Sequence, residues 1–408
     1  MDTFQLGDLF GPFLVFLALF MIIVLLDLFY EQCISCDVRN PIYRKHHSFR
    51  FHMKRMVARL LLKLGKRKAM PDYVVDQLQT FSDADEMPVD AVYYNTSAAN
   101  HQLLVFSAAR RKNGLINSLG FIKVPEFSSN LLTLPSFPET TLYQTAEEQK
   151  VMNCYTVAGL KITSMVPKKE YRIEYIGKML LLDSEPYKEI DVELNAVWRS
   201  NLPAFNFSTD ISTIAMSEAM ALQPWSREWF EILKTHHQTH FEQYGDVEGI
   251  VKINGSQYPI KTSGMRDRTI GAKRDWNDFH RYAIHMIRLD NGNAITIGVV
   301  SMPVMFTRLV IGFVTKAKDN INVPIDSCSI DLNEYDKHDP PETYNFGFVA
   351  NNDSYRVHVK RHTKTNIYIG EQSESCLVET WCDFKVNGVK GWGATEWQYQ
   401  NEKKQPNY

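Results

Sequence analysis

The sequence lacks the short motifs that identify several large classes of enzyme. It contains no phosphate-binding P-loop, no glycine-rich dinucleotide motif and no Gly-x-Ser-x-Gly nucleophile elbow. Its net charge is only −2 over 408 residues, which gives no electrostatic reason for a nucleic acid partner. We therefore expect no cofactor and no nucleic acid among the ligands of this protein.

Cysteine is also scarce, with six in the whole chain. Cys33-x-x-Cys36 has no second ligand pair at the spacing of a structural zinc site, so we expect free thiols. His236-His237-x-x-His240 has the i, i+4 spacing of metal ligands on a helix but lacks the glutamate of a zinc-protease motif. The sequence therefore predicts no metal site, and it carries no signal for an oligomeric state.

The sequence has a long apolar run near its N-terminus. Leu9–Leu26 has eighteen residues without a charge, which is near the lower limit for a membrane-spanning helix. A cleaved signal peptide is the alternative, but it would have basic residues before the run and small residues after it. We predict a leader at 1–8 and an anchor at 9–30. The basic residues that follow predict a single-pass protein with a cytosolic body, and the short apolar run favours the endoplasmic reticulum. Four Asn-x-Ser/Thr sequons, at Asn95, Asn206, Asn254 and Asn352, keep a lumenal body as the alternative.

The segment 31–70 is strongly basic. Eleven Lys and Arg lie between positions 38 and 71, with no Asp or Glu. Lys54, Arg55, Arg59 and Lys63 flank an apolar face with helical spacing, formed by Met53, Met56, Val57, Leu60, Leu61 and Leu64. One interpretation is a helix on the membrane surface that holds anionic headgroups. The other is a helix packed on the first domain with solvated charges.

From Pro71 onward the pattern is that of an all-β protein. Short runs rich in aromatic and β-branched residues alternate with turn residues, which is typical of a sandwich or barrel. One amphipathic segment interrupts the series, and it predicts a connecting helix at 224–244. We therefore expect a first β-domain at 71–246 and a second at 247–408.

Two Arg-Asp pairs occur in the segment that follows, Arg266-Asp267 and Arg274-Asp275-Trp276. Neighbouring residues in a strand point to opposite faces, so the arginine and the aspartate of each pair are expected to bond other residues and not each other. One interpretation is structural cross-pairing, Arg266 with Asp275 or Arg274 with Asp267.

The functional interpretation makes one carboxylate, Asp267 or Asp275, a general acid or a polar anchor for a lipid headgroup. Such a carboxylate would face an apolar cavity that raises its pKa. The other residues expected at this polar cluster are His240, Glu242, Arg266, Arg274, Trp276, His280 and His285.

These motifs resemble the tandem lipocalin-like superfamily, which includes AttH proteins, carotenoid 1,2-hydratases, yeast survival-factor proteins and uncharacterised animal members. The resemblance covers about residues 73–400 and is carried by Gly264, Arg266, Asp267, Gly271, Arg274, Asp275, Trp276, Asp290 and Gly292. Where family members commonly have His-Ser-Trp, this chain has Arg268-Thr269-Ile270. The resemblance implies two lipocalin-like β-barrels in tandem and a hydrophobic ligand.

Three functions follow as hypotheses. The first is binding or transfer of a lipid or isoprenoid-like ligand inside a hollow barrel. The second is an enzyme of hydratase type that acts on an isoprenoid or steroid-like lipid, with Asp267 or Asp275 as proton donor. The third is a tethered scaffold, which predicts cross-paired Arg-Asp residues and no cavity.

Overall fold

The computed structural model describes residues 48–65, 70–183, 185–334 and 339–401. These residues form two β-domains in sequence, with few helices. The helices are α1 (Phe49–Leu64), α2 (Asp72–Val75), α3 (Ala146–Gln149), α4 (Thr213–Ala221) and α5 (Arg227–Thr235). The strands of the first domain are β1 (Val89–Ser97), β2 (Leu103–Arg110), β3 (Leu115–Asn117), β4 (Gly120–Lys123), β5 (Leu132–Thr133), β6 (Thr141–Tyr143), β7 (Cys154–Val157), β8 (Leu160–Val166), β9 (Glu170–Leu181), β10 (Lys188–Arg199), β11 (Phe205–Asn206), β12 (Gln238–Ile253) and β13 (Ser256–Gly271).

Eight strands of the first domain close into a ring. They pair in the order β1-β13-β12-β10-β9-β5-β4-β2, and β2 pairs again with β1. Alternate residues point inward, among them Val92 and Tyr94 of β1 and Leu104 and Phe106 of β2, and they form one packed core. Because this core draws on every strand of the ring, the interior of the first barrel is filled with side chains.

The second domain is an up-and-down barrel in which each strand pairs with the next and the last pairs with the first. Its core is also packed, with Ala283, Ile287, Ile295 and Ile297 pointing inward. The strands are β14 (Arg281–Leu289), β15 (Ala294–Met302), β16 (Phe306–Lys316), β17 (Ile321–Cys328), β18 (Thr343–Ala350), β19 (Asp353–Ile369), β20 (Ser375–Val386) and β21 (Val389–Gln400).

The all-β architecture with two domains is thus confirmed, but the predicted boundary at 246/247 is wrong. That position lies inside β12, which pairs with β13 along its whole length in the first barrel. The predicted connecting helix at 224–244 is also too long. Helix α5 ends at Thr235, and β12 begins at Gln238. The apolar residues Phe241 and Tyr244 are three positions apart, a spacing that fits a helix, so local periodicity did not indicate the strand.

The predicted localisation is corrected by the structure. Among the described residues, no helix combines the length and the apolar character needed to cross a membrane, which contradicts the prediction of a single-pass membrane protein. The leader at 1–8 and the apolar run at 9–30, on which that prediction rested, lie outside the described residues.

Helix α1 packs through its polar side. Lys54 Nζ donates to the carbonyl oxygen of Gln223 at 2.7 Å, Arg55 pairs with Glu218 at 3.3 Å, and Arg59 lies 3.4 Å from the Ser217 hydroxyl. The buried Ala58 faces the α4–α5 region. The helix is therefore packed, as in the second interpretation, but three of its four cations bond the packing surface instead of being solvated, while Lys63 and the apolar face are exposed. Headgroup binding by the three cations would require these contacts to break.

Candidate functional site

A cavity lies between the two barrels. Its volume is about 760 Å³, which is in the range of small-molecule sites. The walls are mostly apolar, with Val89 and Leu119 from the first domain and Ile284, Leu309 and Leu377 from the second. The cavity also reaches Thr209, Thr213 and His237, which are exposed, so this end meets solvent. A hollow barrel was predicted, but both barrel interiors are packed and the space lies between their outer faces.

Strand alternation in β13 decides which charged residues reach the cavity. Asp267 and Thr269 line it, while Arg266 and Arg268 are turned into the first barrel and buried. Arg266 forms an ion pair with Asp76 and lies over the ring of Tyr171 at 4.0 Å. Arg266, expected in the polar cluster, therefore belongs to the barrel core.

A histidine network occupies the cavity wall of the first barrel. His240 Nδ1 lies 2.8 Å from Thr269 Oγ1 and 3.4 Å from Asp267 Oδ1, and its Nε2 lies 3.2 Å from Glu242 Oε1. The Thr269 hydroxyl donates to Asp267 at 2.9 Å, so Nδ1–H of His240 donates to Thr269. Burial acts to lower the pKa of His240, but the Asp267 and Glu242 carboxylates outweigh it and raise the pKa. The geometry thus favours an imidazolium.

Arg274 and Trp276 also line this wall of the cavity. Both Nε and Nη2 of Arg274 donate to Gln238 Oε1, at 2.9 and 2.6 Å. Trp276 is buried, and its Nε1–H finds no acceptor among the described residues. A buried donor without a partner costs free energy unless a ligand or water satisfies it. Trp276 is therefore a candidate hydrogen-bond donor to a ligand.

The second barrel contributes a pair of glutamates that sequence analysis did not select. Glu379 and Glu396 lie opposite each other on β20 and β21, and Glu396 lines the cavity. The Tyr93 hydroxyl donates to Glu379 at 2.8 Å, and the Tyr282 hydroxyl donates to Glu396. Glu396 follows Gly391-Trp392-Gly393, a Gly-Trp-Gly-x-x-Glu pattern that could have indicated it, whereas the sequence around Glu379 carries no such signal.

Burial favours the protonated form of this pair of glutamates, because the pKa values of both carboxyl groups are raised. Burial first, and then the charge of Glu396, raises the pKa of Glu379 well above its ordinary value. Burial also raises the pKa of Glu396, whereas its hydrogen bonds from Tyr282 and Glu379 act to lower it. This is the pattern of a protonated Glu379 that donates to a Glu396 carboxylate.

The remaining predicted site residues do not reach the cavity. Asp275 caps a short 3₁₀ turn, accepting from Asn277 N at 2.9 Å. His285 lies inside the second barrel, where its Nε2 is 2.7 Å from the Tyr344 hydroxyl, and burial lowers its pKa to about 3. His280 lies outside the cavity wall. Odd-numbered positions of β14 face the barrel core, which places His285 there.

The described residues form neither of the predicted cross-pairs, Arg266 with Asp275 or Arg274 with Asp267. Instead, Glu396 of the buried carboxyl pair lines one wall of the cavity, and His240 and Asp267 line the other. Asp267 raises and Arg274 lowers the pKa of Glu396, so the two walls interact electrostatically. Such a site can orient the polar end of an apolar ligand and can donate or accept a proton.

Comparisons with known proteins support this fold. A solved structure described as an AttH from Nitrosomonas europaea has a TM-score of 0.53 and 11% identity, covering 82% of this chain and 97% of its own. Kievitone hydratase from Nectria haematococca has a TM-score of 0.47 and 12% identity, covering 79% and 96%, and this value is too low to support an argument. The likeness to the AttH structure shows the shared fold alone.

No curated protein matches the sequence. The sequence profile of a family of unknown function, DUF8627, matches residues 17–399 and therefore nearly the whole chain. The chain belongs to this family, DUF8627.

Proposed function

We propose that the protein binds one hydrophobic small molecule, a lipid or isoprenoid-like compound, between its two barrels. The observation that carries the proposal is the cavity of about 760 Å³ with mostly apolar walls and a few convergent polar groups. Cavities of this size and lining take up drug-sized apolar ligands, whose polar atoms find the buried donors and acceptors. Here these would be the Trp276 indole, His240 and Glu396.

Substitutions that fill the cavity with larger side chains test the proposal. Ala91 and Ala109 line the cavity wall formed by β1 and β2, so Ala91→Phe and Ala109→Phe reduce its volume. Ala84 is exposed in a turn outside the cavity, and Ala84→Phe is the matched control. The probes are Nile red and a C20 isoprenoid alcohol added to the full-length protein. Saturable binding by the wild type and by Ala84→Phe, weakened at least about tenfold in both cavity variants, supports the proposal.

Failure of the wild type to bind either probe would refute binding of neutral hydrophobic ligands. Equal binding by the wild type and both cavity variants would place the ligand elsewhere. Each variant is compared with the wild type by circular dichroism first, because an overpacked wall can unfold a domain.

An enzyme that adds water to a carbon–carbon double bond is the second candidate. The observation that favours it is the proton held by Glu379 and Glu396 against an apolar cavity. Glu379 would pass its proton to Glu396, and Glu396 would then protonate one carbon of the double bond. A water molecule would attack the resulting carbocation and return its proton to a carboxylate, so that the acid is restored. The sequence had suggested Asp267 or Asp275, and only Asp267 lines the cavity.

Incubation with the same C20 alcohol in ¹⁸O-water tests this candidate by mass spectrometry. If the protein is such an enzyme, the wild type and the control Asp275→Asn should incorporate one labelled water into the alcohol. Glu396→Gln should lose this incorporation. If the wild type binds the alcohol but incorporates no label, the protein binds this compound without hydrating it. Incorporation that persists in Glu396→Gln would remove Glu396 as the acid.

A further inference from the structure

Three potential metal ligands from both barrels meet away from the cavity. His101 lies in the turn between β1 and β2, and His362 and Asp383 lie on β19 and β20 of the second barrel. One ligand atom from each residue lies within 4.8 Å of the other two. His101 Nε2 is 3.4 Å from Asp383 Oδ1, and the two imidazoles stack at 3.9 Å between centroids.

Local backbone features bring the two histidines together. His101 has a φ of 67°, which few residues other than glycine adopt, and its backbone N–H donates to the Ala98 carbonyl at 2.9 Å. His362 lies at a register shift between Arg361 and Thr363 in the β19–β20 ladder, where a bulge re-aims a side chain. The cluster therefore depends on irregular positions in two separate domains.

The hydrogen bond at the other nitrogen of His362 leaves a ligand atom available. His362 Nδ1 lies 2.9 Å from Thr363 Oγ1, and Lys123 Nζ donates to the same hydroxyl oxygen at 3.0 Å. In the tautomer whose Nδ1–H donates to Thr363, the lone pair of His362 is on Nε2, which is one of the two nitrogens through which a neutral histidine binds metals. Metal-binding histidines almost always donate their second nitrogen to a partner in this way.

We propose that His101, His362 and Asp383 bind a divalent transition metal, with Zn²⁺ as the biological ion. Two imidazoles and a carboxylate match the ligand preference of zinc, with water in the fourth position. Zinc–ligand distances of about 2.0–2.2 Å put two tetrahedral ligand atoms roughly 3.4 Å apart. The exposed side chains of His101 and Asp383 reach this separation by rotation. The bound ion ties the β1–β2 turn to the second barrel.

The charge of Lys123 opposes a cation at this position, and Asp383 compensates for it. The site is separate from the inter-barrel cavity, because none of its three residues lines that cavity. Metal binding is therefore independent of the proposed function, and either proposal can fail alone.

Titration of chelator-stripped, full-length protein with Zn²⁺ alone tests the proposal. We expect one equivalent to bind the wild type, with affinity reduced at least tenfold in His101→Gln and in His362→Gln. His358 is exposed on the same strand and contacts Asn345, so His358→Gln is the control and retains wild-type affinity. Co²⁺ in place of Zn²⁺ is expected to give the visible absorption of a tetrahedral site in the wild type and the control only.

Thermal unfolding supplies a readout that does not depend on the titration. A ligand that binds only the folded state raises the melting temperature, so Zn²⁺ should stabilise the wild type and His358→Gln but not the two cluster variants. Absence of saturable Zn²⁺ binding to the wild type would overturn the proposal. Wild-type affinity in His101→Gln and His362→Gln, each folded by circular dichroism, would overturn it equally.

Discussion

Glu379 and Glu396 face each other across neighbouring strands and share a proton at the contact between the two barrels. Glu379 is fully buried and also receives a hydrogen bond from Tyr93 of the first barrel. Burial and the neighbouring charge of Glu396 disfavour the ionised form of Glu379 and raise its pKa. The contact between the two domains therefore favours a bound proton on this pair of carboxyl groups.

This pair predicts a dependence of stability on pH. The folded protein holds a proton on Glu379 above the ordinary value of 4.5, while the unfolded chain releases it. The free energy of unfolding should therefore fall as the pH rises above 4.5, by about 1.4 kcal/mol per unit for one extra proton bound by the folded state. Glu379→Gln cannot ionise and should reduce this slope. Urea unfolding at a series of pH values measures it.

Glu193→Gln removes an exposed carboxylate of the first barrel and is the control for this experiment. Its slope should equal that of the wild type. A Glu379→Gln variant with the full wild-type slope would show that the pair does not hold the proton.

His240 should titrate above its ordinary value because of Asp267. Asp267→Asn removes the carboxylate 3.4 Å from Nδ1, so the pKa of His240 should fall in this variant. Asp275→Asn, at the other Arg-Asp pair, should leave it unchanged. The raised pKa also adds stability that is fully present below pH 6.5 and lost as the pH rises through the raised value. Histidine NMR titration distinguishes the two variants, and equal shifts in both would contradict this assignment.

Asp90 should be among the most sensitive positions for stability. It is buried and bonds Arg268 at 2.6 Å and Arg110 at 2.7 Å. Removing one partner leaves a buried guanidinium uncompensated, so Asp90→Ala should cost about 3–5 kcal/mol. Glu193→Ala, at the exposed pair with Lys252, should cost less than about 1 kcal/mol. Chemical denaturation measures both, and similar costs would contradict the buried pairing.

Sequence alone gave the all-β class, the two domains and the opposite directions of Arg266 and Asp267. Those features depend on the spacing of apolar and polar residues along a strand, which can be read directly from the sequence. The partners of Arg266 and Arg268 were not predictable, because Asp76 and Asp90 are close only after the barrel closes. Glu379 was missed for the same reason, since its position opposite Glu396 depends on the β20–β21 register.

The amphipathic pattern of α1 correctly predicted a helix. It does not indicate which side of that helix packs against the rest of the protein. The apolar face, including Met56 and Leu60, is exposed, and the side with the small Ala58 lies against α4. A small residue allows close approach of two helices, and Lys54 and Arg55 then reach partners around it. Helical spacing cannot distinguish these arrangements without the position of α4.

Native mass spectrometry of the full-length protein, purified from a eukaryotic host without detergent, tests the central claim most directly. The full chain is required because Leu62 of α1 is part of the cavity wall. We expect one hydrophobic small molecule per chain in the wild type and in Ala84→Phe, and its loss from Ala109→Phe. A wild type that carries no such molecule and retains no added isoprenoid or lipid would refute ligand binding in the cavity, as would equal retention by Ala109→Phe.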